Sequence, residues 1–301
     1  MTEFDVLVVG DANPDLLLRG DVRPRFGQEE QLLTAADLVL GGSAAITAVG
    51  CAKLGLRTAL LAAVGDDVFG ALVREQVTAA GVRLMPFAAG GVPTGVTVIL
   101  SEPDDRAMLT LPGTITALRH VDLTDMLIQS TRHVHMSALY LQPALASGLA
   151  GAFKRAHDLG RTTSLDTNWD PSGAWASVND ILAHTDVFLP NAAELLAVTG
   201  AATPDAAAAE LVRTGTTVVM KDGARGARAW WPGGECAAPG VSVEVVDTTG
   251  AGDSFNAGFL AARLAGHDLP ESLRWATTAG SLSTRAAGGT AAQATLADLS
   301  G

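Results

Sequence analysis

Short apolar runs that alternate with helical segments constrain the fold of this chain more than any other feature. The runs are rich in β-branched residues and are bounded by turn residues, which is typical of buried strands. They cover residues 6–9, 58–64, 162–165, 187–189, 217–220 and 241–246. Repeated strand and helix units build a mostly parallel sheet with helices on both faces. We therefore predict an α/β fold with a central, mostly parallel sheet.

Two stretches, residues 12–40 and 92–111, have a different pattern. They contain short alternating pieces interrupted by residues such as Pro14, Pro24 and Gly27, which is typical of strands with one exposed face. We expect them to form a small β-sheet lid on a single α/β domain that spans residues 1–301.

Composition and charge limit the classes of function. The chain has 301 residues, of which 48% are hydrophobic and 17% charged, so a compact protein is expected rather than a disordered one. Its net charge is −12 and no basic run interrupts the acidity. We therefore expect no nucleic acid and no anionic membrane among its partners, and instead a small-molecule substrate.

The cysteines and the N-terminus indicate where the protein acts. Cys51 and Cys236 lie far apart and belong to no metal-binding cluster, so neither a disulfide framework nor a zinc site is expected. Glu3 and Asp5 occupy a region where a signal peptide carries positive charge. We expect a cytoplasmic protein with no membrane span.

The strongest chemical motif is DTTGAGDSF at residues 247–255, where a predicted strand ends and a helix begins. Gly250 and Gly252 let the backbone turn sharply and approach a ligand, and the free N–H groups of a helix start attract an anion. Asp253 has two interpretations. It complements the helix dipole, or it is a base that receives a proton from an attacking hydroxyl group. We favour the base, because a carboxylate beside an anion site otherwise repels the ligand.

Two segments resemble the signatures of one family, the ribokinase-like (PfkB) carbohydrate kinases. Residues 247–264 resemble its C-terminal signature, and GGSAA at 41–45 through GDDVFG at 65–70 resemble its N-terminal signature. The order and separation of the segments match, so the resemblance covers nearly the whole chain.

The resemblance implies an ATP-dependent kinase that transfers the γ-phosphoryl group to a hydroxymethyl group of a sugar or sugar-like polyol. It implies that Asp253 is the catalytic base and that the backbone of Gly250, Ala251 and Gly252 forms the anion hole. The implied cofactors are ATP and Mg²⁺, and a requirement for a monovalent cation stays open. Family members often pair through their lids, so a homodimer is also expected.

Asn191 and Glu194 resemble the N-x-x-E motif of the family, which implies that Asn191 binds near the phosphates and Glu194 near Mg²⁺. On sequence grounds alone, the same pair is explained by helix capping, with Asn191 as the cap and Glu194 at the third position.

Lys221, Gly223 and Gly226 resemble the nucleotide-binding turn of the family. A simple hairpin turn explains them equally, and both interpretations can hold together. The chain has only three lysines, and none belongs to a P-loop motif. We therefore expect phosphate stabilisation to come from backbone N–H groups and Mg²⁺.

Acceptor binding is assigned through the resemblance to Asn13, Asp15, Gly41 and Gly42. Asn168, which follows the end of a predicted strand, is expected near the substrate or the phosphates. A carboxylate that accepts two hydroxyl bonds suits a polyol. Asp11, close by, is explained as well by a solvated turn. Ile46 departs from ribokinase-type sequences, which often have asparagine there.

Two alternatives remain open. One is a nucleoside kinase of the same fold, in which Phe26, Phe87 and Trp169 stack on a base. The other is a ligand-sensing protein without catalytic activity, against which the intact Asp253 and its neighbouring glycines argue.

Overall fold

The computed structural model describes residues 2–102, 105–176 and 178–299, which form two β-sheets and the helices around them. The strands are β1 (Val6–Val9), β2 (Asn13–Gly20), β3 (Leu33–Gly41), β4 (Thr58–Leu61), β5 (Arg83–Leu84), β6 (Val96–Ser101), β7 (Arg106–Leu111), β8 (His133–Met136), β9 (Thr162–Leu165), β10 (Val187–Phe188), β11 (Thr217–Lys221), β12 (Ala227–Trp231) and β13 (Gly234–Ala238). The α-helices are α1 (Ser43–Lys53), α2 (Val68–Ala79), α3 (Asp125–Gln129), α4 (Pro143–Asp158), α5 (Val178–Leu182), α6 (Ala192–Thr199), α7 (Pro204–Val212), α8 (Ala251–Leu264), α9 (Leu269–Ser283) and α10 (Leu296–Leu299).

Nine strands form the central sheet, in the order β13-β12-β11-β10-β9-β8-β1-β4-β5. The strands from β11 to β5 are parallel, and β12 and β13 continue the sheet as antiparallel strands. All four residues of β1 and of β8 are buried, as expected for strands covered on both faces. The predicted fold class is confirmed.

Four strands form the small sheet, in the order β3-β2-β6-β7. Its strands come from the two stretches that the sequence assigns to a separate sheet. β2 pairs antiparallel with β3 and parallel with β6, and Asn13 lies opposite Gly41 in this register. Every residue of β7 is exposed. The small sheet is therefore covered much less completely than the central sheet.

Helices α8 and α9 pack closely together on the central sheet. Gly258 of α8 makes this approach possible, because a Cβ atom there would lie 2.8 Å from the Cβ of Ala279 and 2.8 Å from the carbonyl oxygen of Trp275. Phe255 and Phe259, at i and i+4, are buried in the same layer. This packing fixes α8, whose first turn carries the strongest chemical motif.

Two strand predictions need correction. Residues 241–246 form no strand, because β13 already provides the terminal strand of the central sheet and nothing pairs with this segment in the described structure. The strand predicted at 58–64 ends at Leu61, and residues 62–64 continue outside regular structure.

Across the described ranges, no single helix has the length and hydropathy needed to cross a membrane. The bent pair α6 and α7, with an angle of 62° between its helices, meets these two criteria when taken together.

Candidate active site

Asp253 lies in the first turn of α8, directly after the glycine turn. Gly250 precedes the helix with φ of 71°, a left-handed conformation that favours glycine. The Asp253 side chain is buried and accepts a hydrogen bond from the Ser43 hydroxyl group. Burial raises the pKa of Asp253 to about 8, although the bond from Ser43 lowers it. The Asp253 side chain therefore exchanges its proton near pH 8, far above the usual range of an aspartate.

Ser43 connects Asp253 to the end of β9. Asn168 Nδ2 donates to Ser43 Oγ at 3.0 Å, and Asn168 Oδ1 accepts from the Ala138 N–H at 2.9 Å. Asn168 also has φ of 52°, which Asn tolerates better than most residues. The structure therefore brings the predicted substrate residue Asn168 within one side chain of Asp253.

Asp15 and Gly41 form the predicted acceptor site on neighbouring strands of the small sheet. Asp15 Oδ1 accepts from Asn13 Nδ2 at 2.9 Å. A Cβ atom on Gly41 would lie 2.1 Å from this carboxylate, so only glycine leaves room for it. Burial, and next the charge of Asp11, raise the pKa of Asp15 to about 7. Gly42 adjoins this pair and precedes α1.

Asp11 is not a solvated turn residue, and that interpretation is wrong. Its side chain is only 6% exposed and accepts a hydrogen bond from the Ala44 N–H at 3.0 Å. The charge of Asp11 contributes to the raised pKa of both Asp15 and Asp253. Asp11 therefore lies within electrostatic reach of the acceptor site and of the candidate base.

Lys221 ends β11 and points into a buried polar cluster. Its Nζ is 2.5 Å from Asp166 Oδ2, and Asn256 Nδ2 donates to the same oxygen at 2.6 Å. Asn256 lies three residues after Asp253, on the same face of α8. The cluster thus joins the ends of β9 and β11 to the first turns of α8.

Asn191 and Glu194 form a complete capping box at the start of α6. Asn191 Oδ1 accepts from the Glu194 N–H at 2.9 Å, and Glu194 Oε2 accepts from the Asn191 N–H at 2.8 Å. The capping interpretation is therefore correct, and a role near Mg²⁺ stays a prediction. Asn191 also forms a parallel bridge to Lys221, which keeps this pair beside the buried cluster.

The carboxylates of this site suit a Mg²⁺ ion that is shared with substrate phosphates better than a metal ion held by protein side chains alone. Within the described part of the chain, no three His, Cys, Asp or Glu side chains are arranged to hold a metal ion. Mg²⁺ often binds through one or two carboxylates, water and substrate phosphates. Glu194, with one carboxylate oxygen outside the capping box, fits that mode.

A cavity of about 490 Å³ opens beside the glycine turn. Its lining includes Lys221, Gly223 and Gly226 from the turn between β11 and β12, and Ala251 and Gly252 from α8. Residues of the 241–246 segment, which was predicted to form a strand, complete the wall of this cavity. The turn is a hairpin and also lines the cavity, so the two interpretations of this segment are compatible.

Arg106 of β7 connects the small sheet to the glycine turn. Its guanidinium group donates to Thr249 Oγ1 at 3.2 Å. Thr249 is held in turn by Asp247, which accepts from the Thr249 N–H at 2.9 Å and from the Gly288 N–H at 2.8 Å. The acceptor side and the phosphate turn are therefore in direct contact.

The sequence analysis missed several residues of this site, which are Asp11, Ser43, Arg106, Asp166 and Asn256. The i, i+3 spacing from Asp253 was an available signal for Asn256, and Ser43 belongs to the motif that follows the double glycine. Asp166 precedes Asn168 at the same strand end. Arg106 is one arginine on an exposed strand, and nothing in its local sequence distinguishes it.

A buried carboxylate in the first turn after a glycine turn, next to a cavity of about 490 Å³ and close to buried polar groups of a small sheet, is the arrangement expected of a small-molecule phosphotransferase. Residues 4–296 match the model of the pfkB family of carbohydrate kinases. The chain belongs to this family.

Known proteins of similar sequence and fold agree with this assignment. The chain is 30% identical over 284 residues to an ATP-dependent ribose-1-phosphate kinase from Halopiger xanaduensis, covering 92% of this chain and 90% of that protein. The structure of Arabidopsis thaliana ribokinase complexed with ribose and ATP is 25% identical, with a TM-score of 0.83 and coverage of 99% and 98%. A putative ribokinase II from E. coli in complex with ATP and Mg²⁺ is 21% identical, with a TM-score of 0.85 and coverage of 98% and 97%.

Proposed function

We propose that this carbohydrate kinase transfers the γ-phosphoryl group of ATP to a hydroxymethyl group of a sugar or sugar-like polyol, with Asp253 as the base. The observation that carries the proposal is the buried Asp253 carboxylate, which begins α8 directly after the Gly250 turn and has a pKa raised to about 8. A group with this pKa exchanges a proton at the pH at which the reaction runs.

The proposed transfer is one displacement. The acceptor hydroxyl gives its proton to Asp253 as its oxygen forms a bond to the γ-phosphorus, and the bond to the β-phosphate oxygen breaks to release ADP. The Gly252 N–H group and the dipole of the helix start favour the negative charge of the transferred group, whereas the Ala251 N–H donates to the Thr248 carbonyl oxygen at 3.3 Å. Ser43 and Asn168 keep the base oriented through their hydrogen bonds.

The acceptor is proposed to bind at Asn13, Asp15 and Gly41 under the small sheet. A buried carboxylate at this position accepts bonds from two hydroxyl groups, which suits a polyol. The small sheet would act as a lid, because Arg106 reaches from it to Thr249. Its closure would exclude water and limit hydrolysis of ATP.

ATP is proposed to occupy the cavity beside the β11–β12 turn, where Gly223 and Gly226 allow close backbone approach. Glu194 would hold Mg²⁺ together with the phosphates, and bound Mg²⁺ would neutralise phosphate charge during transfer. ATP and Mg²⁺ in the E. coli ribokinase II complex support this assignment by analogy of fold.

A homodimer through the small sheet is the proposed assembly. Leu38 and Leu109 lie on the same face of this sheet and are 46% and 58% exposed, and exposed apolar side chains on one face favour a partner surface. Sedimentation velocity tests this, with a dimer as the expected result.

The nucleoside alternative has less support. Phe26 is 98% exposed, and Phe87 packs against the hydrophobic core, so neither is arranged with Trp169 to enclose a base. Trp169 is exposed and contacts Trp175 edge to face.

A coupled assay of ADP release tests the proposal directly. The wild-type protein is supplied with Mg²⁺ and ATP and a panel of neutral sugars, sugar phosphates, polyols and nucleosides, with Asp253→Asn as the matched control. We expect release above the acceptor-free rate with a sugar or sugar derivative, and release at least about 100-fold slower with the control. Release with nucleosides alone favours the alternative, and ligand binding without any release favours a sensing protein.

A further inference from the structure

A second charged group faces the proposed path of the phosphoryl group. Lys221 has a side chain that is 13% exposed, and its Nζ is 2.5 Å from Asp166 Oδ2 and 3.4 Å from Asn256 Oδ1. An ammonium group has three N–H donors. Asp166 and Asn256 account for two of them in the described structure, which leaves one donor for a ligand.

The Lys221 side chain lies beside Gly252. A Cβ atom built on Gly252 would have only Lys221 atoms near it, with Nζ at 3.6 Å. The ammonium group therefore lies directly beside the helix start that would receive the phosphoryl group. Within the described residues, Lys221 is also the one lysine or arginine in the cavity lining.

Asp166 does not depend on Lys221 alone for its hydrogen bonds. Its Oδ1 accepts from the Asn168 N–H at 3.1 Å, and its Oδ2 also accepts from Asn256 Nδ2 at 2.6 Å. The charge and hydrogen bond of Lys221 are nevertheless the strongest influences that keep the pKa of Asp166 low. Lys221 is therefore the counter-ion of Asp166, and its position beside Gly252 places the same ammonium group next to the helix start.

Lys221 also remains charged in this environment. Burial acts to lower its pKa, but the charges of Asp166 and Glu194 outweigh that effect and raise it. A fixed ammonium group in a site of low dielectric interacts strongly with a nearby anion and needs no reorganisation during the reaction.

We propose that Lys221 Nζ supplies a fixed positive charge to the phosphoryl group as it passes over Gly252, and that Asp166 and Asn256 hold Nζ in that position. This inference rests on the proposed kinase function. It differs from the expectation that backbone N–H groups and Mg²⁺ alone stabilise the phosphates.

The test compares Asp166→Asn with the double variant Asp166→Asn/Lys221→Met. In this background the Asp166 carboxylate is already gone, so the loss of its counter-ion does not contribute to the difference, and Asn256 still contacts Nζ. The buried carboxylates of Glu194 and Asp253 still face Lys221, so kcat is compared at the pH where the profile of each variant has levelled off. We expect kcat to fall by about 100-fold or more between the two variants, the loss found for one donor of an oxyanion hole. The KM for the acceptor should change less than threefold.

Lys154→Met is the matched control. Lys154 is exposed on α4 and pairs with Asp158 at 2.8 Å, so this change removes the same charge at a distance from the site. We expect its kcat to equal that of the wild type. Equal kcat values for Asp166→Asn and the double variant would overturn the proposal and leave Lys221 as a counter-ion.

A binding measurement separates this inference from the kinase proposal. Binding of ADP, Mg²⁺ and aluminium fluoride is measured by titration calorimetry. Aluminium fluoride mimics the transferred phosphoryl group, so the measurement needs no identified acceptor. Two losses of affinity are compared between Asp166→Asn and the double variant, one for this mixture and one for ADP with Mg²⁺ alone. We expect the loss for the mixture to be at least tenfold larger. Equal losses would overturn the role of Lys221, whereas a wild-type protein that binds no ADP would overturn the kinase proposal itself.

Discussion

The two sides of the site are built differently. The phosphate side, which comprises Gly250–Asp253 and Lys221, lies where buried strands of the central sheet meet a helix that packs closely on α9. The acceptor side, which comprises Asn13, Asp15 and Gly41, lies on the small sheet, whose strand β7 is exposed along its whole length. The proposed phosphate side is therefore held by packing in the core, whereas the proposed acceptor side lies on a sheet with an exposed edge strand. We expect variants to separate the roles of the two sides.

The largest effect is expected for Asp253→Asn, which removes the base from the phosphate side. The amide is nearly isosteric and can still accept from Ser43, so the fold and ATP binding should be retained. General base catalysis contributes about 10²- to 10⁴-fold, and kcat should fall by that amount. Steady-state kinetics measures kcat, and titration calorimetry measures the affinity for ATP. A variant with turnover within a few-fold of the wild type would exclude Asp253 as the base.

Two glycines of α8 should separate function from packing. A Cβ on Gly252 makes only an ordinary contact with Lys221 at 3.6 Å, so Gly252→Ala should fold with unchanged or slightly raised stability. It should nevertheless lower kcat by about 100-fold, because the methyl group displaces the phosphate from the helix start.

Gly258→Ala should show the opposite behaviour. Its Cβ would lie 2.8 Å from Ala279, and such overpacking costs about 1–3 kcal/mol of stability. Gly151→Ala, in open space on α4, is the control for adding a methyl group to a helix. Thermal denaturation and kcat are measured for all three, and a Gly252→Ala variant with full activity contradicts the proposed anion hole.

Asp15→Ala should affect the acceptor side alone. A hydrogen bond to a charged group is worth about 1.5–3 kcal/mol, so the KM for the acceptor should rise by about 10- to 100-fold. We expect kcat to fall as well, because binding also orients the hydroxyl group toward Asp253, while the KM for ATP stays within twofold. Asp15→Asn retains one hydrogen-bond acceptor oxygen, so its KM for the acceptor should lie between those of the wild type and Asp15→Ala. Unchanged acceptor kinetics in Asp15→Ala would transfer this role to Asp11.

The smallest effect is expected for Arg106→Gln, which tests the link between the two sides. Loss of the bond to Thr249 should raise the KM for the acceptor by about twofold to tenfold, the value of one ordinary hydrogen bond. Stability should not change, because β7 is exposed. The matched control is Arg119→Gln, since Arg119 pairs with Asp122 on the surface. An equal effect of both changes would mean that Arg106 does not link the sides.

Local sequence predicted the glycine turn and the start of α8 better than the residues that surround them. Glycines at a strand end followed by a helix define the Gly250 turn from neighbouring residues alone. Lys221 is 55 positions from Asp166 and 35 positions from Asn256 in the sequence. Only the order of the strands and the packing of α8 on the sheet bring the three residues together. Burial of Asp11 likewise depends on Ala44, which is 33 positions away. The apolar pattern of residues 241–246 predicted a strand, but pattern alone does not provide a strand to pair with.

The pH dependence of kcat/KM for the acceptor tests the central claim, that Asp253 receives the proton. Because burial raises its pKa to about 8, Asp253 is protonated below that pH and ionised above it. A base acts only when ionised, so kcat/KM should rise about tenfold per pH unit below about pH 8 and level off above it. Asp15, whose pKa is raised to about 7, adds a rise below about pH 7 that Asp253→Asn should keep, whereas the rise between about pH 7 and 8 should be absent from this variant. A wild-type profile that is flat between about pH 7 and 8, or a rise over this range that persists in Asp253→Asn, would contradict the account.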